Sequence, residues 1–268
     1  MEVKSEQLFL PAHVKVIESK YVPKYPNITR DFQYTRNIIE NSLDDYLTNV
    51  QMLADIFNIE KKPSILDVGC GVGREIIELA HLGAECIGLD ADEDNVKFLK
   101  SLAKNHSLPI KADFGDGCNL PYKDETFDAI LSKNFFEHVK DFDCALKEQI
   151  RVLKKNGRLI IMDGNILNYF TLFDLLIKYP IRRQGKYGGL RWLFTKGKVK
   201  ENLYEVGGWT GKDEDVHSIF WWKKTLKHYP NLQVIELTTT GAYKRRKKAC
   251  VEVLRPFLGS ILVITEKK

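Results

Sequence analysis

The first periodic segment of the chain is helical. From Asp31 to Asn58, apolar residues recur at intervals of three and four positions, which is the spacing of an amphipathic helix. Residues 1 to 30 contain three prolines and no sustained period, so the sequence predicts an irregular arm there. We therefore interpret residues 1–62 as an N-terminal arm followed by one or two helices, whose apolar positions are Ile39, Leu43, Tyr46, Leu47, Val50, Leu53 and Phe57.

After Pro63 the pattern changes to short β-type runs that alternate with helical ones. The runs follow in the order SILDV, REIIELAHL, ECIGLD, EDNVKFLKSLAKN, PIKAD, FDAILS, FDCALKEQIRVLKK and GRLIIMD. This alternation is typical of a doubly wound α/β domain with a parallel sheet and helices on both faces. It stops at Asp163, and two further strand-like runs, NLQVIELTTT and GSILVITEKK, come later in the chain. We predict one domain over residues 63–268, with residues 164–230 as an insertion, because that segment has too few aliphatic residues for a core of its own.

Positive charge is concentrated in two stretches. Residues 175–200 contain eight Lys or Arg and no acid, and Lys244–Lys248 adds five more. These exceed the net charge of +5, so the rest of the chain is net acidic. The stretches favour an anionic partner such as phosphate, nucleic acid or an anionic lipid surface, although solvated basic loops would look the same.

The cysteines and the hydropathy pattern indicate the cellular compartment of the protein. No CxxC pair occurs, so the sequence suggests neither a zinc site nor an iron–sulfur cluster. No signal-peptide pattern and no membrane-spanning run is recognisable in the sequence. We expect a cytoplasmic protein with reduced thiols, and peripheral contact with the inner membrane face stays open through the two basic stretches. The five cysteines are Cys70, Cys86, Cys118, Cys144 and Cys250.

A glycine-rich turn follows the first strand-like run. The Walker string GxxxxGK[ST] is absent, and the third small residue of the dinucleotide fingerprint GxGxxG is replaced by Arg74. Asp67, two residues before the turn, would repel a pyrophosphate but would suit a ligand with a cationic group. Asp90 ends the next strand, where an acid can accept hydrogen bonds from ribose hydroxyls. The turn therefore predicts a partly cationic nucleoside as the ligand.

Several motifs in succession resemble one enzyme family. ILDVGCGVG, GLDAD, DGCNLPYKDETFDAILSKNFFEHV and ALKEQIRVLKKNGRLII are similar to the class I S-adenosylmethionine-dependent methyltransferases, in particular their type 11-like small-molecule branch. The resemblance covers about residues 63–163 and the two last strands. It implies a Rossmann-like sheet of seven strands, mostly parallel with an antiparallel last strand, and S-adenosyl-L-methionine as the cofactor.

The resemblance also implies roles for individual residues. The glycine turn would lie against the methionine moiety and ribose, Asp90 would hold the ribose hydroxyls, and Ala91 would lie near the adenine. An acid before the Leu-Pro dipeptide would contact the adenine amino group, with Asp116 as the candidate and Asp113 as its rival. Other residues implied at the cofactor are Asp67, Gly69, Cys70, Gly71 and Gly73 in the turn, Gly117 beside Asp116, and Asn134 and Phe135 near the transferable methyl group.

Methyl transfer to a hydroxyl needs a base as well as alignment of the acceptor with the methyl carbon. His138 follows the fourth strand, and the alternative to catalysis there is packing or capping. Read as a helix, residues 212–224 place Asp213, His217 and Trp221 on one face, which favours His217 as a base oriented by Asp213. The alternative is a helix cap at Asp213 with an exposed His217. A metal site at Asp213, Asp215 and His217 is disfavoured, because residues two apart on a helix face different directions.

Two features that are absent around the fourth strand narrow the range of possible acceptors. The Asn-Pro-Pro-aromatic string of amino methylation does not occur after the fourth strand, and no cysteine lies between residues 119 and 143 for carbon methylation of cytosine. All four tryptophans fall in the insertion, which suits an acceptor with flat apolar faces and hydroxyls. We predict O-methylation of a small-molecule, sugar or glycan/lipid-linked acceptor. The alternatives are an RNA methyltransferase, a user of decarboxylated S-adenosylmethionine, an oxidoreductase on a similar sheet and a non-catalytic cofactor-binding protein.

Overall fold

The computed structural model describes residues 2–165, 217–240 and 260–268. The chain divides into two compact units, the first made of residues 1–132, 143–159 and 267 and the second of residues 133–142, 160–266 and 268. The two basic stretches, two of the four tryptophans, Asp213 and Cys250 lie outside the described residues.

The described part of the chain forms an α/β fold around a seven-stranded sheet. The strands are β1 (Ser64–Val68), β2 (Glu85–Asp90), β3 (Ile110–Phe114), β4 (Phe127–Lys133), β5 (Leu153–Asp163), β6 (Leu232–Thr239) and β7 (Ile261–Lys267). Their order in the sheet is β3-β2-β1-β4-β5-β7-β6. β1 pairs in parallel with β2 and β4, and β2 with β3, while the β5-β7-β6 end is antiparallel. The predicted fold class is therefore confirmed.

In the part of the chain that the structure describes, three α-helices precede β1, and further helices follow β1, β2 and β4 where the sequence pattern predicted them. They are α1 (Phe9–Tyr21), α2 (Thr29–Asn41), α3 (Leu43–Phe57), α4 (Arg74–His81), α5 (Glu93–His106), α6 (Phe142–Val152) and α7 (Ile219–Thr225). The helix predicted through residue 155 ends earlier, because Leu153 is fully buried as the first residue of β5. The central strands are apolar on both faces, which is expected of a parallel sheet covered by helices.

The prediction of an irregular N-terminal arm was wrong, since the helix α1 occupies Phe9–Tyr21 within it. Its buried residues Phe9, Leu10, Val14, Ile17 and Tyr21 have helical spacing. Pro11 is tolerated because it lies in the first turn, where the backbone N–H has no partner within the helix.

A buried carboxylate holds the start of α1 against α3 and α4 within the first unit. Glu78 of α4 accepts hydrogen bonds from the backbone N–H groups of Phe9 at 2.6 Å and Leu10 at 2.9 Å, and from the Tyr46 hydroxyl at 2.9 Å. Burial raises the pKa of Glu78, and these three donors partly offset that effect. One side chain of α4 thus joins the start of α1 to α3.

Candidate cofactor-binding site

The turn between β1 and α4 has a backbone conformation that requires glycine. Gly69, Gly71 and Gly73 have φ angles of 73°, 52° and 72°, in the left-handed region that disfavours side chains. A Cβ on Gly73 would lie 2.4 Å from Cδ2 of Leu99, a fully buried residue of α5. The turn can therefore present bare backbone only with glycine at these places.

Hydrogen bonds tie this turn to the end of β2. The N–H groups of Gly69 and Cys70 donate to the Leu89 carbonyl at 2.8 and 3.1 Å. The N–H of Gly71 donates to Oδ2 of Asp90 at 2.7 Å. The carboxyl ends of two adjacent parallel strands thus meet at one rigid turn, which is the place where open α/β sheets bind their ligands.

Asp90 is held in one orientation by three donors. Besides Gly71, the N–H of Asp92 donates to its Oδ1 at 2.9 Å, and Nδ2 of Asn95 does so at 3.2 Å. A carboxylate has about four acceptor positions, so capacity remains for a ribose hydroxyl. The predicted contact of Asp90 with the ribose stays a prediction.

Asp67 is buried at the end of β1, opposite Gly88 of β2. A Cβ on Gly88 would lie 2.7 Å from Sγ of Cys70. Burial, together with the carboxylates of Asp67 and Asp90, raises the pKa of the Cys70 thiol. Cys70 is therefore a packed, protonated thiol in the turn.

The two candidates for the adenine contact, Asp113 and Asp116, have different hydrogen-bond partners. The carboxylate of Asp113 accepts a hydrogen bond from the Tyr122 hydroxyl at 2.9 Å. Asp116 is exposed and its Oδ1 accepts from the N–H of Cys118 at 2.9 Å, while Gly117 beside it is buried. Each of the two carboxylates thus accepts one hydrogen bond from its own surroundings, and the choice between Asp116 and Asp113 for the adenine contact stays a prediction.

In the second unit, Asn134 and Phe135 form a bend after β4. Asn134 has a φ angle of 50°, and its N–H donates to the Met162 carbonyl at 2.8 Å. A short 3₁₀ helix, Phe136–His138, follows. His138 is 53% exposed and its Nε2 lies 3.7 Å from Oε1 of the buried Glu137. The predicted roles of Asn134, Phe135 and His138 stay predictions.

Asp163, at the end of β5, was missed by the sequence analysis. It is 1% exposed, and among the described residues neither of its oxygens has a hydrogen-bond partner of good geometry. Burial raises the pKa of Asp163 to about 7, and the nearby backbone amides of Phe135 and Phe136 offset part of this effect. The signal was present, because an acid that closes a buried apolar strand is the same pattern that singled out Asp67 and Asp90.

The interpretation of residues 212–224 as one helix does not hold at His217, and residues 212–216 lie outside the described residues. α7 begins at Ile219, capped by the Ser218 hydroxyl, which accepts a hydrogen bond from the Trp221 N–H at 3.1 Å. His217 instead forms an isolated bridge with Asn165. Its ring nevertheless stacks on Trp221, with a centroid distance of 3.7 Å and an interplanar angle of 27°. Because Ser218 caps the helix, His217 and Trp221 are in contact although only Trp221 lies in α7.

An aromatic cluster surrounds this histidine within the second unit. Phe142 lies 5.0 Å from Trp221 and 4.9 Å from Phe136 between ring centroids, and Trp222 lies 5.3 Å from Phe142. We call Phe136, Phe142, His217, Trp221 and Trp222 the aromatic cluster. Trp222 is fully buried, so at least this tryptophan serves packing.

Within the described residues, no group of three His, Cys, Asp or Glu side chains is placed to hold a metal ion. None of the described helices has the length and apolar character needed to cross a membrane.

Comparison with known proteins identifies the domain that carries the turn. Residues 66–161 match a family model described as a methyltransferase domain. Norajmaline N-methyltransferase from Rauvolfia serpentina is 40% identical over 106 residues, which make up 38% of this chain and 36% of that enzyme. Ubiquinone biosynthesis O-methyltransferase from Pelagibacter ubique is 32% identical over 187 residues, 69% of this chain and 65% of that one. The chain thus matches little more than a third of the plant enzyme's length.

A solved structure supports the same fold. The crystal structure of a SAM-dependent methyltransferase from Aquifex aeolicus superimposes with a TM-score of 0.54 at 14% identity, over 96% of this chain and 98% of that one. From the motifs, the glycine turn and the family match together, we conclude that this chain carries a methyltransferase domain of the class I S-adenosylmethionine-dependent family, with S-adenosylmethionine as the cofactor.

Proposed function

We propose that the whole chain is an enzyme that transfers the methyl group of S-adenosylmethionine to an oxygen atom of a small-molecule, sugar or glycan/lipid-linked acceptor. The observation that carries the proposal is the hydrogen bond from Gly71 N–H to Asp90, which joins a turn of bare backbone to a fixed carboxylate. The Pelagibacter relative, which matches 69% of this chain, supports oxygen as the acceptor atom. The Rauvolfia relatives support nitrogen as the second candidate.

The residues present fit the cofactor. Gly71 leaves space that a Cβ would occupy, Asp90 keeps acceptor capacity for ribose, and Asp116 is exposed for an amino group. The acids also suit a ligand with positive charge. The bound cofactor supplies an electrophilic methyl group on a positively charged sulfur.

The protein's part in the chemistry is alignment and proton removal. An in-line displacement needs the acceptor oxygen positioned behind the methyl carbon in a site without water. As the new carbon–oxygen bond forms and the carbon–sulfur bond breaks, leaving S-adenosylhomocysteine, the acceptor hydroxyl would lose its proton to a base. We propose His138 or His217 for that task, and Asp213, which lies outside the described residues, as the group that orients His217.

Titration calorimetry tests the cofactor assignment. The wild-type protein should bind S-adenosylmethionine and S-adenosylhomocysteine, and Asp90→Asn should weaken both roughly 10- to 100-fold, because a site built to accept hydrogen bonds from hydroxyls loses an acceptor. Glu85→Gln, at the exposed start of the same strand, is the matched control and should bind like wild type. Binding of NADH alone would instead support the oxidoreductase.

Matched acceptors test which atom is methylated. Pairs of phenols and anilines, and of sugars and amino sugars, should be offered with radiolabelled cofactor, and label should enter the hydroxyl member. Label in the amine alone would favour N-methylation, and label in RNA alone would favour the nucleic-acid alternative. Binding of the cofactor without transfer to any offered acceptor would favour a binding protein.

Single-turnover rates with the accepted substrate test the base. Removal of the true base by His138→Ala or His217→Ala should slow transfer roughly 100-fold or more. His228→Ala, an exposed histidine after α7, is the control and should not change the rate. Normal rates in both test variants would remove histidine from the mechanism.

We also propose a role for the two basic stretches in binding an anionic group near the acceptor. Residues 175–200 and Lys244–Lys248 would hold a phosphate, a carboxylate or an anionic lipid surface that presents the acceptor. Co-sedimentation with vesicles of phosphatidylglycerol, against vesicles of phosphatidylcholine, should show binding to the anionic vesicles that falls with salt. Equal behaviour with both vesicles would remove the lipid surface from the proposal.

A further inference from the structure

Helix α2, which precedes the sheet, lies against the glycine turn. Oδ2 of Asp31 is 3.9 Å from the position that a Cβ would take on Gly71. One turn further along α2, the ring centroid of Tyr34 lies 5.6 Å from the guanidinium carbon of Arg74, the residue after Gly73. Two contacts, three residues apart on one helix face, thus place α2 beside the turn and the start of α4.

Burial of neighbouring residues of α2 holds Asp31 in this place. Phe32, Thr35 and Ile39 are buried, and the Phe32 ring meets that of Phe98 from α5 at a centroid distance of 6.4 Å. Both α2 and the turn are therefore anchored on the same α5, since Leu99 of that helix also packs against Gly73. The position of the Asp31 carboxylate follows from apolar burial, not from its own polar contacts.

The polar contacts of Asp31 leave its carboxylate accessible. Its ion pair with Arg30 joins sequence neighbours at 3.4 Å, and the two side chains are 43% and 75% exposed. Exposed pairs of this kind contribute little and yield readily to a better partner. A ligand cation at the turn can thus replace Arg30 without breaking a buried bond.

Carboxylates therefore lie on more than one side of the glycine turn. Asp90 bonds to the N–H of Gly71, Asp31 lies near the α-carbon side of the same residue, and Asp67 precedes the turn. Like charges around one turn repel each other, and a bound cation relieves that repulsion. S-adenosylmethionine offers two cations, the sulfonium and the α-ammonium of its amino-acid end.

The two cations suit different surroundings. A reacting sulfonium needs a site without water and has no proton to donate, whereas an ammonium group donates hydrogen bonds and tolerates solvent. Asp31 is half-exposed and carries an acceptor, so it matches the ammonium. We propose that Asp31 binds the α-ammonium group of the cofactor. Helix α2, which lies outside the matched residues 66–161, thereby completes the cofactor site.

This inference rests on the proposed cofactor-dependent function, and three ligands separate the two. S-adenosylhomocysteine keeps the ammonium but has a neutral sulfur, S-adenosylmethionine has both cations, and 5′-methylthioadenosine has neither. Calorimetry of Asp31→Asn should show affinities for the first two about 10-fold lower, or ~1.4 kcal/mol, with 5′-methylthioadenosine unchanged. Asp31→Glu should recover part of the loss, because it restores the charge.

Controls separate a direct contact from a structural effect. Asp45→Asn, at an exposed acid in the first turn of α3, should bind all three ligands like wild type. Equal weakening of 5′-methylthioadenosine would overturn the inference in favour of a distorted pocket, and a loss confined to S-adenosylmethionine would assign Asp31 to the sulfonium. Unchanged affinities would also overturn it. A wild-type protein that binds none of the three would overturn the proposed function and the inference together.

Discussion

Asp90 and Asp163 are the same chemical group in the same kind of place, at the end of a strand, and their surroundings are opposite. Asp90 accepts hydrogen bonds from two backbone N–H groups and one side-chain amide. Asp163 is 1% exposed, and among the described residues its oxygens have no hydrogen-bond partner of good geometry. Hydrogen bonds fix the orientation of the first carboxylate, while burial raises the pKa of the second.

The contrast extends to the regions around the two acids. The glycine turn is stabilised by directional hydrogen bonds and close backbone packing, which tolerate little change in shape. The aromatic cluster is stabilised by ring contacts, which distribute the energy over several moderately favourable pairs. We therefore expect substitutions in the turn to cost more than those in the cluster, and we expect the raised pKa of Asp163 to make the stability of its region depend on pH.

The largest expected effect tests the tight packing of the turn. Gly73→Ala should lower the free energy of unfolding by roughly 3 to 5 kcal/mol, because it combines a left-handed φ with a clash against Leu99. Urea denaturation measures the loss, and calorimetry should show that binding of S-adenosylhomocysteine is lost too.

Gly83→Ala is the matched control for this substitution. Gly83 also has a positive φ, 109°, but a Cβ there would meet nothing within 4 Å. It should cost only about 1 to 2 kcal/mol and leave cofactor binding unchanged. Equal losses in the two variants would show that backbone strain, and not packing against Leu99, decides the sequence of the turn.

The next effect concerns the pH dependence caused by Asp163. A carboxyl whose pKa rises from 3.8 to about 7 on folding binds its proton more tightly in the folded state. It costs nothing below pH 4, and the cost grows as the pH rises towards 7. Asp163→Asn should therefore be more stable than wild type by roughly 2 to 4 kcal/mol at pH 8, with the gain absent at pH 4.

Urea denaturation of both proteins between pH 4 and pH 8 measures this difference. Asp128→Asn is a useful contrast, since Lys154 and Ser64 hold the pKa of Asp128 below its usual value although burial opposes them. Its removal should lower stability at neutral pH and have less effect in acid. Stability curves of wild type and Asp163→Asn that run parallel would contradict the assignment of a raised pKa to Asp163.

The smallest effect belongs to the aromatic cluster. His217→Ala removes the ring that stacks on Trp221 at 3.7 Å and should cost about 1 kcal/mol. His217→Phe, which keeps a flat ring, should restore most of the loss, and thermal unfolding of the three proteins measures both. A loss well above 3 kcal/mol would show that this region is as tightly packed as the turn.

Much of the fold could be predicted because its signals are local. The β1, β2, β4 and β5 strands follow from short apolar runs, and the turn follows from three glycines between a strand and a helix. The misses have local causes as well. Pro11 concealed α1 because a proline in the first turn is harmless, and Ser218 caps α7 after His217, so the four-residue spacing did not mean one helix face.

Other features of the site have no local signal. Nothing in the residues around Asp31 indicates that its carboxylate lies beside Gly71, since the contact joins segments 40 positions apart through packing on α5. The exposure of Asp116 and the involvement of Asp113 with Tyr122 could likewise be decided only when the loop after β3 was in place.

By itself the sequence determined the α/β architecture, the glycine turn and the acids that close the strands, because periodicity and backbone freedom are properties of short segments. Only the tertiary structure decided which of those acids are bonded, which is buried and which helix covers the turn. Burial and hydrogen bonding depend on residues far apart in the chain. The ionisation of Asp163 and the reach of Asp31 therefore exist only in the folded protein.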